Sequence, residues 1–320
     1  MEPIRERPAA VVCVGGAAID HSYRALEPLI RDSSNPVRRV TGFGGVARNV
    51  AETLARLGVP SALVSALGDD AAGQAIRAHL VACGVDVAGL ATQPGAASAS
   101  YVAVLEPDGA LAFGLSDMAV LDALTPARLA TAFAARGPAG WIFADCNLSP
   151  AAFAALADIA ARSQGALAVD AVSVAKAPRL AAVLGRLGLL FLNRDEARAL
   201  VPPGADATPE ALAHALVARG VAAVVLTLGP AGALVATSGR IVHVPAVRAA
   251  LRDATGAGDA LTATTLARLS LGDDLVEAVR AGTLAAALTI EAAGAVREDL
   301  DMGLLDASRG RLPQLSWAPP

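Results

Sequence analysis

The chain is poor in lysine, cysteine, histidine and aromatic residues, and each scarcity excludes something. Of 26 basic side chains in 320 residues a single one is lysine, Lys176, and it stands in Ala-Lys-Ala. A phosphate-cradling P-loop needs Gly-Lys followed by Ser or Thr, so none exists here. Aromatics make up 3% of the residues and the formal net charge is −4, which argues against the basic stripe and stacking platforms of a nucleic-acid surface. The three cysteines, Cys13, Cys83 and Cys146, lie far apart without a Cys-x-x-Cys pair, the usage of a reduced, cytoplasmic protein. His21, His79, His214 and His243 are scattered and read as surface or hydrogen-bonded residues rather than a metal cage. Long apolar runs are missing too. The longest uncharged stretch, residues 221–238, is broken by Gly229-Pro230 and Gly232, which predicts strand–turn–strand rather than a membrane span. Residues 1–19 contain an apolar part only one strand long before Asp20 and His21, too short for a secretory leader. No Gly-x-Ser-x-Gly elbow occurs. Gly15-Gly16-Ala17-Ala18 lacks the spacing of a dinucleotide loop.

What remains is a chain of 31.9 kDa, long enough for one large α/β domain. Apolar strands are expected over 9–14, 61–67, 141–144, 166–169, 189–192 and 223–228, with helices between them. Gly44-Gly45 opens one helix, and Val46, Val50, Leu54 and Leu57 form its apolar face, with Gly58 as its stop. Another is expected over 71–83. Thr125-Pro126, Ser149-Pro150 and Thr208-Pro209 share a start signal, an N-cap hydroxyl followed by proline at the first helical position. Strand alternating with helix implies right-handed crossovers and a mostly parallel sheet covered by helices on both faces. Two excursions, about 17–43 and 98–115, carry turn signals without helical period and are expected to pair as a small β lid. Asp20 falls on the loop after the first strand in this reading. Residues 273–294 form an Ala-rich helical stretch.

Polar residues stand just past the strand ends: Asp145 and Asn147, Asp170, Asn193 with Glu196, and Thr227 with Gly229. Open α/β sheets bind ligands along that edge. The same edge would receive Asp-Ala-Thr-Gly-Ala-Gly-Asp-Ala at 253–260, where small residues precede an acid and an amphipathic helix marked by Leu261, Thr265, Leu266 and Leu269. Unpaired N–H groups and the helix dipole make such a start an anion site. An acid there would repel the anion, so Asp259 makes chemical sense as a base beside a phosphoryl group. Where arginine has replaced nearly every lysine, Lys176 and the four asparagines, Asn35, Asn49, Asn147 and Asn193, mark positions where Arg or Asp would not serve.

Asp-Ala-Thr-Gly-Ala-Gly-Asp (253–259), Gly-Gly-Val-Ala-Arg-Asn (44–49) and Asn-Arg-Asp-Glu (193–196) resemble, in order and spacing, the ribokinase-like (PfkB) carbohydrate and nucleoside kinases over roughly residues 10–300. The resemblance implies an α/β domain with a β-sheet lid, ATP and Mg²⁺ as cofactors, and transfer of the γ-phosphoryl group to a sugar hydroxyl. It makes Asp259 the base and Gly256, Ala257 and Gly258 the anion hole. Asp20, Gly44, Gly45 and Asn49 would hold the sugar. Asn193 and Glu196 would organise Mg²⁺ through water, while Asn193, Thr227, Gly229 and Gly232 would serve the nucleotide. Asp253 and Thr255 fall where family members bind a monovalent cation such as K⁺. Ser-Asn-Pro (34–36), Asp-Met (117–118), Ala-Asp-Cys-Asn (144–147), Val-Asp-x-Val-Ser (169–173) with Lys176, and Asn-Arg-x-Glu-Ala (193–197) resemble the pseudouridine-kinase subgroup. That resemblance brings Asp117, Asn147 and Lys176 in as substrate-binding candidates. Phe43, Ala47, Ala119 and Ala171 depart from its pattern. The implied partners are a small nucleoside or sugar and a second subunit through the lid, with no nucleic acid and no membrane. Alternatives are another sugar or nucleoside kinase of this family, a non-catalytic sugar-binding regulator, and a dinucleotide-dependent dehydrogenase.

Overall fold

The computed structural model describes residues 11–136, 139–202 and 208–315. The chain opens with β1 (Val11–Val14), buried at all four positions, and β2 (Ala18–Ala25) and β3 (Val37–Gly44) follow. Residues 9 and 10 of the expected first strand lie outside the described residues. Next come α1 (Val46–Arg56), β4 (Ser61–Gly68), α2 (Ala71–Ala82), β5 (Asp86–Gln93) and the hairpin β6 (Ala99–Leu105) and β7 (Leu111–Asp117). Two strand–helix units follow, α3 (Pro126–Ala134) with β8 (Trp141–Asp145) and α4 (Pro150–Ser163) with β9 (Ala166–Asp170). After β10 (Leu189–Asn193), α5 (Arg194–Leu200) and α6 (Pro209–Ala218), the strands β11 (Ala223–Thr227), β12 (Ala233–Thr237) and β13 (Arg240–Val244) complete the sheet. The chain closes with α7 (Ala257–Ser270), α8 (Leu275–Ile290) and α9 (Met302–Ser308).

Nine strands form one sheet in the order β13-β12-β11-β10-β9-β8-β1-β4-β5, parallel from β11 through β5 and antiparallel at β12 and β13. The remaining four form a separate small sheet, β3-β2-β6-β7. Alternating strand residues feed two cores. Val12, Val14, Ile142 and Leu190 point to one face with Phe153 and Leu212; Val11, Cys13, Phe143 and Phe191 point to the other with Val50, Leu54, Leu266 and Leu284. That period of two on a sheet covered on both sides is what an apolar parallel strand provides. Thr125, Ser149 and Thr208 each cap a helix, their hydroxyls accepting from Arg128, Ala152 and Ala211 N–H groups.

Three details differ from the sequence reading. Asp20 lies within β2, not on a loop. The helix starting at Ala257 is not amphipathic: residues 260–267 are all buried, because α1 and α8 pack on it. Sequence periodicity sees one covered face and misses the second. The edge strand β5 was also not expected, its partial burial giving no clean apolar run. Among the described residues no helix is long and apolar enough to cross a membrane.

Candidate active site

Strand order turns at β1, which continues to β4 and β5 on one side and to β8, β9 and β10 on the other. Such a switch point leaves a crevice beyond the strand ends. Gly15 and Gly16 leave β1 there, and Asp145 ends the neighbouring β8. Gly15 has φ +145°, and a Cβ on it would come within 2.4 Å of the Asp145 carboxyl. Asp145 is fully buried. Its oxygens accept from the N–H groups of Gly16 (2.7 Å), Ala47 (3.0 Å) and Asn147 (3.0 Å), and from Asn147 Nδ2 (2.9 Å). Four donors satisfy the buried carboxylate and tie β1, α1 and β8 together. Asn147 Oδ1 accepts from Lys176 Nζ at 2.6 Å, and burial pushes the Lys176 amine down.

Across the crevice α7 begins. Its N-cap, Gly256, has φ +77°, and a Cβ would lie 1.8 Å from the Ala295 carbonyl oxygen, so only glycine fits. Gly258 is different: a Cβ there would meet nothing within 4 Å. Ala257, Gly258 and Asp259 thus form the first turn, whose N–H groups lack helical partners, beside open space. Asn49, on the first turn of α1, donates from Nδ2 to Asp259 Oδ2 at 2.5 Å. Gly44 passes directly beneath Asp20, since a Cβ on it would sit 2.0 Å from Asp20 Oδ1. Gly45, with φ +94°, would strike the Gly16 carbonyl oxygen at 2.4 Å. Asp259 is pushed up to about 6, first by burial and then by Asp145 and Asp20, against the pull of Asn49 and Arg48. Asp20 also rises to about 6 through burial, with Arg48 and His21 opposing. Asp170 lies well above its ordinary value because it is buried and faces Asp259, Glu196 and Asp145. Asp170 also accepts from Val172 N–H at 2.8 Å. Among the described residues these carboxylates do not bring three ligand atoms within 4.8 Å of one another. Their shared negative charge therefore suits a cation that keeps its water rather than one they ligate directly.

The remaining candidates divide between the same sheet edge and the small sheet. Asn193 Oδ1 accepts from the N–H groups of Asp195 and Glu196, both at 3.0 Å, and Glu196 Oε2 accepts from Asn193 N–H at 2.8 Å, a capping box on α5. Burial raises the Glu196 carboxyl. Thr227 stands beside Asn193 in register and donates to the Leu192 carbonyl oxygen at 3.3 Å. Gly229 (φ +58°) and Gly232 (φ +101°) shape the turn into β12, and a Cβ at Gly232 would meet the Val244 carbonyl oxygen at 2.1 Å. Asp253 accepts from Thr255 N–H (3.0 Å) and Gly294 N–H (3.1 Å). Burial pushes its carboxyl up, but these bonds outweigh it and the net shift is down. Asp117 ends β7 on the exposed small sheet and accepts from Ala119 N–H at 3.2 Å. Among the described residues no hydrogen bond joins it to the Asn49–Asp259 group.

Asp20, Gly44, Gly45, Asn49 and Gly256 through Asp259 therefore come together, with Asn147 and Lys176 braced by Asp145. Sequence reasoning placed Asp145 and Asp170 at strand ends along the ligand edge without giving either a role. Arg48 stood inside the Gly-Gly-Val-Ala-Arg-Asn stretch but was given no role, being one of 25 arginines.

A family model described as pfkB family carbohydrate kinase matches residues 8–301. The chain is 32% identical over 273 residues to the pseudouridine kinase of Escherichia coli (strain K12), covering 84% of this chain and 87% of that protein. Among solved structures, a carbohydrate kinase from Agrobacterium tumefaciens is 32% identical with a TM-score of 0.79, over 96% of this chain and 98% of that one. A structure described as ribokinase II from E. coli in complex with ATP and Mg²⁺ shares the fold at 20% identity and a TM-score of 0.79, over 95% and 99% of the two chains.

Proposed function

The chain belongs to the pfkB family of carbohydrate kinases, and on that premise we propose that it transfers the γ-phosphoryl group of ATP to the 5′-hydroxyl of pseudouridine. One observation carries the chemistry. A carboxyl group pushed up to about 6 stands on the first turn of α7 beside an open glycine. Phosphoryl transfer asks for positioning and charge stabilisation more than covalent chemistry. Asp259 accepts the proton of the attacking hydroxyl, and a base tuned near the working pH does this best. The free N–H groups of Ala257, Gly258 and Asp259 meet the charge that develops on the phosphoryl oxygens. Asp20, Gly44, Gly45 and Asn49 hold the ribose hydroxyls. Glu196 and Asn193, through water and with Asp170 nearby, hold Mg²⁺, which neutralises phosphate charge when bound. Thr227, Gly229 and Gly232 line the nucleotide path, and Asp253 with Thr255 holds a monovalent cation, K⁺ in the first instance.

Support for pseudouridine comes from the E. coli relative's name and from the Asn147–Lys176 pair. Pseudouridine carries an extra ring N–H beside the sugar. Asn147 has one Oδ1 lone pair and one Nδ2 hydrogen beyond its bonds to Lys176 and Asp145. It can therefore accept from that N–H, and Asp117 offers a second acceptor from the small sheet. An acceptor enclosed by the bound nucleoside and left unpaired by uridine would reject it. The small sheet serves as a lid, and its exposed Leu111, Phe113 and Leu115 suit pairing with a second subunit.

The test is ADP release with pseudouridine, uridine, ribose and adenosine as acceptors. Pseudouridine is expected to exceed uridine at least ~10²-fold in kcat/KM, and Asp117→Ala to erode that ratio more than the rate. Equal use of both nucleosides, or preference for ribose, would overturn the substrate; ADP release with none of them would overturn the kinase.

A further inference from the structure

Beneath the Gly44–Gly45 turn lies a charged cluster that the reaction as described leaves unused. Arg48 and Glu52, one turn apart on α1, are each only 2% exposed. A buried guanidinium is tolerated when its donors are engaged. Arg48 donates from Nε to the Gly44 carbonyl oxygen (3.2 Å) and from Nη2 to that of Phe43 (2.6 Å). It also donates to Glu52 Oε2 and to Asn49 Oδ1. Glu52 is held in turn by two Arg56 N–H groups (2.9 and 2.7 Å) and by His79 Nε2 (2.9 Å). Glu52, His79 and Cys83 bring one ligand atom each within 4.8 Å of the others, a spacing open to a metal ion. Both Glu52 oxygens already accept from arginine, however, and a divalent ion would face two guanidinium groups. The cluster is the counter-anion of Arg48.

Asn49 lies between that cluster and the base. A carboxamide can sit either way round, with oxygen or nitrogen toward Asp259. The Arg48 guanidinium claims the oxygen, which leaves Nδ2 to donate to the Asp259 carboxylate. We propose that Arg48 is a positioning residue for phosphoryl transfer: clamped by Glu52, it holds the Phe43–Gly44 turn and orients Asn49 toward Asp259. The proposal rests on Asp259 being the base. Charge acts beside geometry. The groups facing Asp259 are Arg48 and Asn49 from α1, Asp20 from β2, Asp145 from the end of β8 and Asp170 from the end of β9. Arg48 is the cation in that set, and its loss lets the Asp259 carboxyl rise further.

Two variants separate geometry from charge. Arg48→Lys keeps the charge but cannot reach Gly44, Phe43 and Asn49 together; Arg48→Gln removes the charge as well. Both should melt cooperatively and lose about 10²-fold in kcat, the scale of a misplaced reacting group, with little change in KM for ATP. The acid limb of the kcat profile should move to higher pH in Arg48→Gln and stay in place in Arg48→Lys. A merely structural role would lower the melting temperature without moving the limb. Wild-type kcat in either folded variant overturns the proposal. The Asp259 carboxyl can also be titrated by ¹³C NMR in wild type and Arg48→Gln, which needs no turnover. An unmoved midpoint overturns the proposal even if the wild type phosphorylates none of the acceptors, whereas that inactivity alone overturns only the kinase reading. If neither variant folds, the wild-type Asn49 side-chain amide decides. A freely rotating, fast-exchanging pair overturns the proposal, and a protected pair supports it.

Discussion

The crevice has two ends, and they use polar side chains differently. At the β1–β8 end, burial raises Asp20, Asp259 and Asp170. Asp145 and Asp20 add to the rise of Asp259, and Asp259, Glu196 and Asp145 to that of Asp170, while Gly258 faces open space. At the β10–β12 end, the candidates are already spent on the fold. Asn193 and Glu196 cap α5, Thr227 donates to Leu192, and Gly232 is required by the approach of Val244. The first end stores unfavourable charge that a substrate and a cation would relieve. The second has one raised carboxyl, Glu196, already bonded into the α5 cap, so a ligand or cation there adds contacts to bonds already made. Residues at the first end should therefore trade stability for activity, while residues at the second should lose both together.

The strongest test of that contrast is Asp259→Asn. Removing the base should lower kcat by at least ~10²-fold. Because the folded carboxyl is raised to about 6, its favourable contribution is present at low pH and is lost as pH rises through that value. The variant should accordingly melt at a higher temperature than wild type at pH 8, with the gain shrinking below pH 6; calorimetry without Mg²⁺ reads this directly. A lowered melting temperature at pH 8 would break the comparison. In the wild type the same group predicts that kcat/KM climbs with pH through about 6 to a plateau.

Next in size is a pair within one turn. Gly258→Val should abolish turnover yet leave the fold intact, because its side chain enters the open space beside the anion site. Gly256→Ala should instead unfold or strongly destabilise the protein, since φ +77° and the Ala295 carbonyl oxygen both reject a Cβ. Parallel thermal melts and activity assays would distinguish them, and equal melting losses would remove the distinction.

Smaller effects are expected at the other end. Glu196→Gln weakens the capping box and should cost about 1 kcal/mol in urea unfolding, while raising the Mg²⁺ concentration needed for half-maximal rate. Thr227→Val should be mildest, at most about 1 kcal/mol for one lost long hydrogen bond with a few-fold rise in KM for ATP. A stability-neutral Glu196→Gln with collapsed activity would place that end with the first.

How much of this was legible in the sequence depended on what each residue competes with. Strand–helix alternation and the hydroxyl–proline helix starts read cleanly because local chemistry sets them. The small sheet was visible through its turns. Asn49, Asn147, Asn193 and Lys176 stood out because arginine and aspartate had displaced their alternatives nearly everywhere else. Asn35, flagged by the same reasoning, only closes the turn after β2, bonding to Ile30 and Ser33. The role of Arg48 and the grouping of Glu52 with His79 and Cys83 were not legible. Arg48 and Glu52 share the i,i+4 spacing of one helix, but the bond from His79 on α2 to Glu52 on α1 joins residues 27 apart, and no spacing along the chain encodes that contact. Asp20 was assigned to a loop because a strand continuing into a second sheet resembles a turn once its apolar alternation stops.

Lys176 has a practical consequence. It is the chain's one lysine, half-buried against Asn147, and its amine is pushed down toward the neutral, nucleophilic form. Amine-selective acylating reagents therefore have a single side-chain amine to react with, positioned where the nucleoside base is proposed to rest. The extent of labelling at that position becomes a native occupancy gauge: ligands that fill the crevice should protect it, and those that bind elsewhere should not.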